Sequence, residues 1–185
     1  MLVPVHALSP AEEKGHEVAV EADRRDQGWK DQKADLLMIL RNRHGQQSVR
    51  ELRNRSLEVA DDGDKLLVIF DRPRDVKGTA FLTFTHKAGQ DDQWLFLPAL
   101  KRISSNNKSG PFMGSEFAYE DLTSQEVEKH TYKHLRDETV ENLDCFVVER
   151  TPVDPKSGYT KQIVCTTSRS IAFRRSNSTT AKPIS

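Results

Sequence analysis

Asp91-Asp92-Gln93-Trp94-Leu95-Phe96-Leu97-Pro98-Ala99-Leu100-Lys101-Arg102 opens on an acidic turn, runs into a strongly apolar strand and stops at a proline and two cations. The chain continues as Ile103-Ser104-Ser105-Asn106-Asn107-Lys108-Ser109-Gly110-Pro111-Phe112-Met113-Gly114-Ser115-Glu116-Phe117-Ala118-Tyr119-Glu120-Asp121-Leu122, which reads as a polar, glycine-punctuated loop. Loops are ordinarily polar because they run over the surface. This one carries Phe112, Met113, Phe117 and Tyr119. Groups of that size must be buried in the protein itself, in a partner or in a ligand.

Upstream of this stretch the hydrophobic period is two. Leu36, Met38 and Leu40 alternate with Leu37, Ile39 and Arg41, so that strand is apolar on both faces. His44-Gly45-Gln46 turns the chain, and residues 49–59 read as an exposed, arginine-rich strand (Arg50, Arg53, Arg55). Asp61-Asp62-Gly63-Asp64 is a hairpin turn, followed by strands over residues 65–70, 78–86 and 93–97. Closely spaced strands joined by tight turns predict an antiparallel meander. One face of such a sheet is normally wet. Here residues 36–40, 66–70 and 94–97 are apolar on both faces, which calls for a cover or a cavity on the second face.

Ser9-Pro10-Ala11-Glu12 predicts a helix start, with Ser9 as N-cap, proline in the first turn and Glu12 closing a capping box. Ala11, Val18 and Ala22 recur at helical spacing down to about residue 25, and Gly28 stops the helix. Downstream, the alternation in residues 123–138 favours an exposed strand over a helix. Residues 143–150 and 159–164 read as further strands around an extended turn, and 166–185 has almost no periodicity.

The 28 basic and 28 acidic residues cancel, so no whole-molecule field favours nucleic acid or an anionic membrane. No apolar run approaches the roughly 18 residues of a spanning helix. Cys145 and Cys165 have neither zinc spacing nor a disulfide-scaffold pattern and read as two isolated thiols. His130 and His134 stand four apart without a third ligand, so no metal site and no cofactor is expected. No nucleophile elbow, phosphate-binding loop, dinucleotide fingerprint or metalloprotease helix occurs. Leu2 to Val5 and Val5-His6-Ala7 leave two readings open: the end of a signal peptide whose basic start is absent, with the assigned start too far downstream and the mature chain beginning near Leu8, or an ordinary disordered N-terminus.

The runs Asp75-Val76-Lys77-Gly78-Thr79, Gln93 to Arg102, Lys108 to Phe117, Tyr119-Glu120-Asp121-Leu122 and Lys156-Ser157-Gly158-Tyr159 resemble, in order, the outer-membrane lipoprotein-sorting protein family of Gram-negative bacteria. That family is a branch of the LolA/LolB lipoprotein-carrier superfamily. The resemblance covers residues 28–164 and implies one domain over 8–164, after a signal-peptide remnant at 1–7. It implies a mainly β (α+β) fold in which a curved antiparallel sheet forms a half-barrel, with short helices and loops as a lid over an apolar cavity. Residues 165–185 depart from the pattern and read as an out-of-frame tail in place of the last strands. The loop after Leu100 is also shorter than the family's.

The resemblance further implies a non-catalytic periplasmic carrier for the acyl chains of lipoproteins or lipids, partnered by an RND- or MMPL-type exporter. Cavity or lid candidates are Met38, Phe81, Trp94, Phe96, Phe112, Met113, Phe117 and Tyr119, with the N-terminal helix and the loop over 104–117 as lid elements. Lys101, Arg102 and Lys108 are candidates for partner or headgroup contact. The alternatives are a lipid-active hydrolase using Ser109 or Ser115, and an exporter adaptor or sensor domain that carries nothing.

Overall fold

A computed structural model describes residues 7–98, 102–105, 110–167, 174–175 and 180–181. The fold is mainly β, with two open antiparallel sheets and, among the described residues, one α-helix. The chain divides into two compact units, residues 28–125 and residues 1–27 with 126–185.

The unit over 28–125 is a six-stranded meander in which every strand pairs with its neighbour in sequence. Its strands are β1 (Asp31–Arg41), β2 (Gln47–Leu57), β3 (Lys65–Arg72), β4 (Ala80–Phe84), β5 (Asp92–Leu97) and β6 (Arg102–Ser105). The last is a correction. Residues read as the start of the polar loop instead pair with β5, Leu97 opposite Arg102 and Trp94 opposite Ser105. Their serines are poor strand formers alone, but the free edge of β5 supplies hydrogen-bond partners that local sequence cannot reveal.

Register assigns the faces. Leu52 pairs with Phe70, Val68 with Phe81, and Phe81 with Leu95, which puts these side chains on one face, here the inner face. Leu67, Leu82 and Trp94 share the outer face. Residues 49–59 are therefore not an exposed strand throughout, because Leu52 is buried on the inner face. The doubly apolar character of β1 is not matched by burial: Leu37 and Ile39 are exposed.

Two close contacts set the turns of this unit. A Cβ on Gly63 would lie 2.6 Å from the Thr85 carbonyl carbon, so only glycine lets the β2–β3 turn meet the end of β4. Beside it, His86 Nδ1 bonds Asp62 Oδ2 at 2.8 Å and His86 Nε2 bonds Asp92 Oδ2 at 3.2 Å. The Lys87 amide also donates to Asp62 Oδ1 at 2.9 Å. His86, chiefly, and then the backbone donors hold the Asp62 carboxyl down at about 2. Asp62 first, then Asp92, raises the His86 imidazole above its ordinary value.

The second unit holds α1 (Pro10–Arg25) and the strands β7 (His130–Val140), β8 (Leu143–Pro152), β9 (Tyr159–Thr167), β10 (Arg174–Arg175) and β11 (Thr180–Ala181). The capping box forms as expected, with Ser9 Oγ accepting from the Glu12 amide and the Glu12 carboxylate accepting from the Ser9 amide at 2.7 Å. The helix ends at Arg25 with Asp26 as its C-cap, and Gly28 follows at φ +93°.

Helix α1 lies directly on β7. A Cβ on Gly15 would fall 2.7 Å from the His134 nitrogen and 2.8 Å from the Lys133 nitrogen, so the helix backbone rests against the strand backbone. Lys14 pairs with Asp137 at 3.3 Å, and His16 meets the Tyr132 ring edge-on at 6.2 Å between centroids. Burial pushes the Tyr132 phenol up to about 12, against a smaller opposing effect of Arg150.

The cysteines are the second correction. Cys145 in β8 and Cys165 in β9 form a disulfide, with Cα atoms 5.6 Å apart. Val147 pairs with Cys165 and Cys145 with Thr167, so the two thiols are diagonal neighbours on one face. Spacing rules missed them because the β8–β9 hairpin, not the number of intervening residues, brings them together. Strand β9 also runs on to Thr167, past the predicted end at residue 164.

Three outcomes follow. Gly15→Ala gains about 1 kcal/mol of helix propensity, but forcing a methyl into backbone costs about 1–3 kcal/mol; urea unfolding should show net destabilisation. A disulfide closing a 20-residue separation contributes roughly 3 kcal/mol. Cys145→Ser should therefore lose about that much in oxidising buffer and match the reduced wild-type protein, and identical wild-type stability with and without reductant would refute the bridge. For the His86 clamp, the raised His86 value stabilises below its reference of 6.5 and is lost as pH rises through the folded value. The lowered Asp62 value stabilises above its reference of 3.8 and is lost as pH falls toward about 2. Both contributions are therefore complete between those references, and NMR titration should place His86 above 6.5 and bring it down in Asp62→Asn.

Candidate functional site

The apolar loop buries two of its rings, Phe112 and Tyr119, in its own protein. Gly110 to Leu122 folds onto the inner face of the six-stranded sheet, where Phe112 is 1% exposed and Phe81 0%. Phe112 stacks 5.7 Å from Phe70 and 6.0 Å from Phe81, and Tyr119 sits 5.1 Å from Phe81 and 5.2 Å from Phe112. Aromatic pairs of this kind add about 0.5–1.5 kcal/mol each beyond area burial. Leu52, Val68 and Val76 complete the cluster, with Met38, Leu66, Leu95, Met113 and Leu122 packed at its margin.

The segment is held in shape mostly by itself. Pro111 bridges Ala118, the Phe112 amide donates to the Phe117 carbonyl at 2.6 Å, and the Tyr119 amide donates to the Gly110 carbonyl at 3.2 Å. Ser115 is buried; its Oγ donates to the Phe112 carbonyl at 2.7 Å and accepts from the Phe117 amide at 3.2 Å. Its hydroxyl staples the loop. The turn at its tip places Met113 at φ +49° and Gly114 at φ +76°, a left-handed pair that is costly for a methionine.

From the sheet, one side chain reaches up to that tip. Arg50 Nη1 donates to the Met113 carbonyl at 2.6 Å, while its guanidinium carbon lies 6.0 Å from the Phe70 ring centroid. The Tyr119 hydroxyl shares a backbone hydrogen bond with Met113, and burial raises its phenol despite that bond.

Along the strands the inner face changes from apolar to polar. The register that carries Leu52, Val68, Phe70 and Phe81 is followed by one that carries Ser56, Leu66, Thr83 and Gln93. Thr83 is 0% exposed, and its Oγ1 has no hydrogen-bond partner among the described residues; Asn54 Oδ1 and Arg50 Nε are likewise buried without one.

Of the candidates named from sequence, Phe81, Phe112 and Tyr119 meet in this cluster, with Met38 and Met113 at its edge. Phe117 lies on the outside of the loop, 48% exposed. Trp94 and Phe96 lie on the outer face, where Trp94 packs edge-on against Phe84 at 5.2 Å. Lys101, Lys108, Ser109 and the Arg102 side chain lie outside the described residues. Sequence reading missed Phe70 and Arg50. The signal was present in parity: Arg50 shares a face with Leu52, whereas Arg53 and Arg55 fall on the other. Among the described residues no group of His, Cys, Asp and Glu could hold a metal ion, and no helix is long and apolar enough to cross a membrane.

Residues 62–182 match a family whose description reads "Uncharacterized protein". No protein of curated function matches the chain. Among solved structures, the chain is 55% identical to a "putative outer membrane lipoprotein-sorting protein domain" from Vibrio parahaemolyticus, with a TM-score of 0.84 over 88% of this chain and 70% of that one. It is 26% identical to a DUF1329 family protein from Desulfovibrio piger, with a TM-score of 0.80 over 89% and 72% of the respective chains. A LolA superfamily protein from Nitrosomonas europaea shares the fold at 16% identity, with a TM-score of 0.62 over 86% and 68%. The 55% identity over 88% of this chain and 70% of its relative places the chain in the outer-membrane lipoprotein-sorting protein family, and its fold is LolA-like.

Proposed function

We propose that the protein is a non-enzymatic periplasmic carrier that shields the acyl chains of a lipoprotein or lipid on the inner face of its six-stranded sheet. In this reading the sheet is one wall of a half-barrel, Gly110 to Leu122 is the lid, and cargo moves toward the outer membrane. An RND-type exporter is the proposed membrane partner. The observation that carries the reading is the lid: an apolar segment, ordered by its own hydrogen bonds, lies on an apolar wall and is tied at its tip by Arg50 to the Met113 carbonyl. A segment held in this way can lift as a unit and leave Phe70, Phe81, Val68 and Leu52 to cover an acyl chain instead.

Shielding is worth about 0.8 kcal/mol per buried methylene, so one long chain can offset the loss of the aromatic contacts. The 55% identical relative supports both the cargo class and the periplasmic location.

Native mass spectrometry of the protein recovered from a cell envelope should find bound acyl lipid; protein that carries none and extracts none from membranes defeats the proposal. The latch has its own outcome. A hydrogen bond from a charged group is worth about 1.5–3 kcal/mol, and a closed lid lowers apparent affinity by the fraction of molecules open. Arg50→Met should therefore bind a dispersed fluorescent acyl probe on the order of ten- to a hundredfold more tightly than wild type.

A further inference from the structure

Thr83 presents an anomaly that an acyl-binding wall does not require. It sits in the middle of β4, opposite Leu66 and Gln93, with its side chain on the same face as Phe81. It is fully buried, yet its hydroxyl has no partner among the described residues. A valine would have the same shape without that cost, since leaving a buried donor unsatisfied is more expensive than removing it. Asn54, on the same face, repeats the pattern with an unpartnered, buried Oδ1. The two flank β3 in neighbouring rows, where the wall passes from apolar to polar.

We propose that Thr83 and Asn54 form a polar subsite that hydrogen-bonds the ester or amide linkages of an acylated cargo. The reading rests on the carrier function above and adds a selectivity to it. Thr83 Oγ donates to an ester or amide carbonyl, and Asn54 Oδ1 accepts from an amide N–H or a hydroxyl. The alkyl tails then lie along Phe81, Val68, Phe70 and Leu52, and the linkage stops at the row of Ser56, Thr83 and Gln93. An acyl chain carrying a linkage is placed in one register on the wall; a bare hydrocarbon is not. The chemical class selected is thus acylated glycerol or N-acylated peptide.

Didecanoylglycerol and its di-O-decyl ether share their tails and differ in the ester carbonyls. Binding of both to the full chain is measured by titration calorimetry, alongside thermal melting without ligand. Wild type should prefer the ester by roughly fivefold, the worth of one neutral hydrogen bond. Thr83→Val should bring the ester-to-ether ratio to about one while raising the melting temperature of the free protein, and Thr83→Ser should keep the preference. Equal wild-type affinity for ester and ether, or a preference that survives in Thr83→Val, overturns the subsite and leaves the carrier reading standing. If wild type binds neither compound, the carrier reading falls and takes the subsite with it.

Discussion

Burial of Phe112 and Tyr119 against Phe70 and Phe81 is the contact on which the unit over residues 28–125 depends. A meander of six strands has two faces, and among the described residues of this unit no second sheet covers either. Without the segment from Gly110 to Leu122, the inner face would expose its aromatic and aliphatic side chains. With it, the unit gains a core made from a single loop. A core supplied by a loop is physically different from one supplied by a helix or sheet. Its rings meet the sheet through apolar contacts, and Arg50 adds a hydrogen bond at its tip.

Arg50 ties the tip of the loop through one carbonyl, and Met113 and Gly114 turn the chain in the left-handed region there. Thr83 and Asn54 keep buried polar atoms on the inner face that have no hydrogen-bond partner among the described residues. Each feature costs the free protein something, and each gains a purpose if the closed form is only one of two states. In the other unit the opposite logic holds. Gly15 seats α1 on the β7 backbone, and the Cys145–Cys165 bridge staples β8 to β9, so these contacts resist rearrangement.

Much of the local structure could be read in the residues themselves. The Ser9 capping box, the turns at His44-Gly45 and Asp61 to Asp64, and the strands from β1 to β5 follow from period and turn chemistry over a few residues. The loop from Gly110 onward was recognisable as an anomaly for the same reason: rings are costly in water, so Phe112 and Tyr119 had to be covered. What could not be read was which residues would do the covering. Trp94 and Phe81 look alike in sequence, but one-residue differences in parity put them on opposite faces of the sheet.

The sequence by itself determined the helix, the strands β1 to β5, the family and the need to bury the loop, because propensity, alternation and motif act over short stretches of chain. Only the tertiary structure decided the pairings across distance. The bond between Arg50 and Met113 spans 63 positions and the disulfide 20, while β6 exists because β5 had a free edge. Register is the physical reason. It turns a two-residue period into two faces, and no stretch read alone states which face will meet which partner.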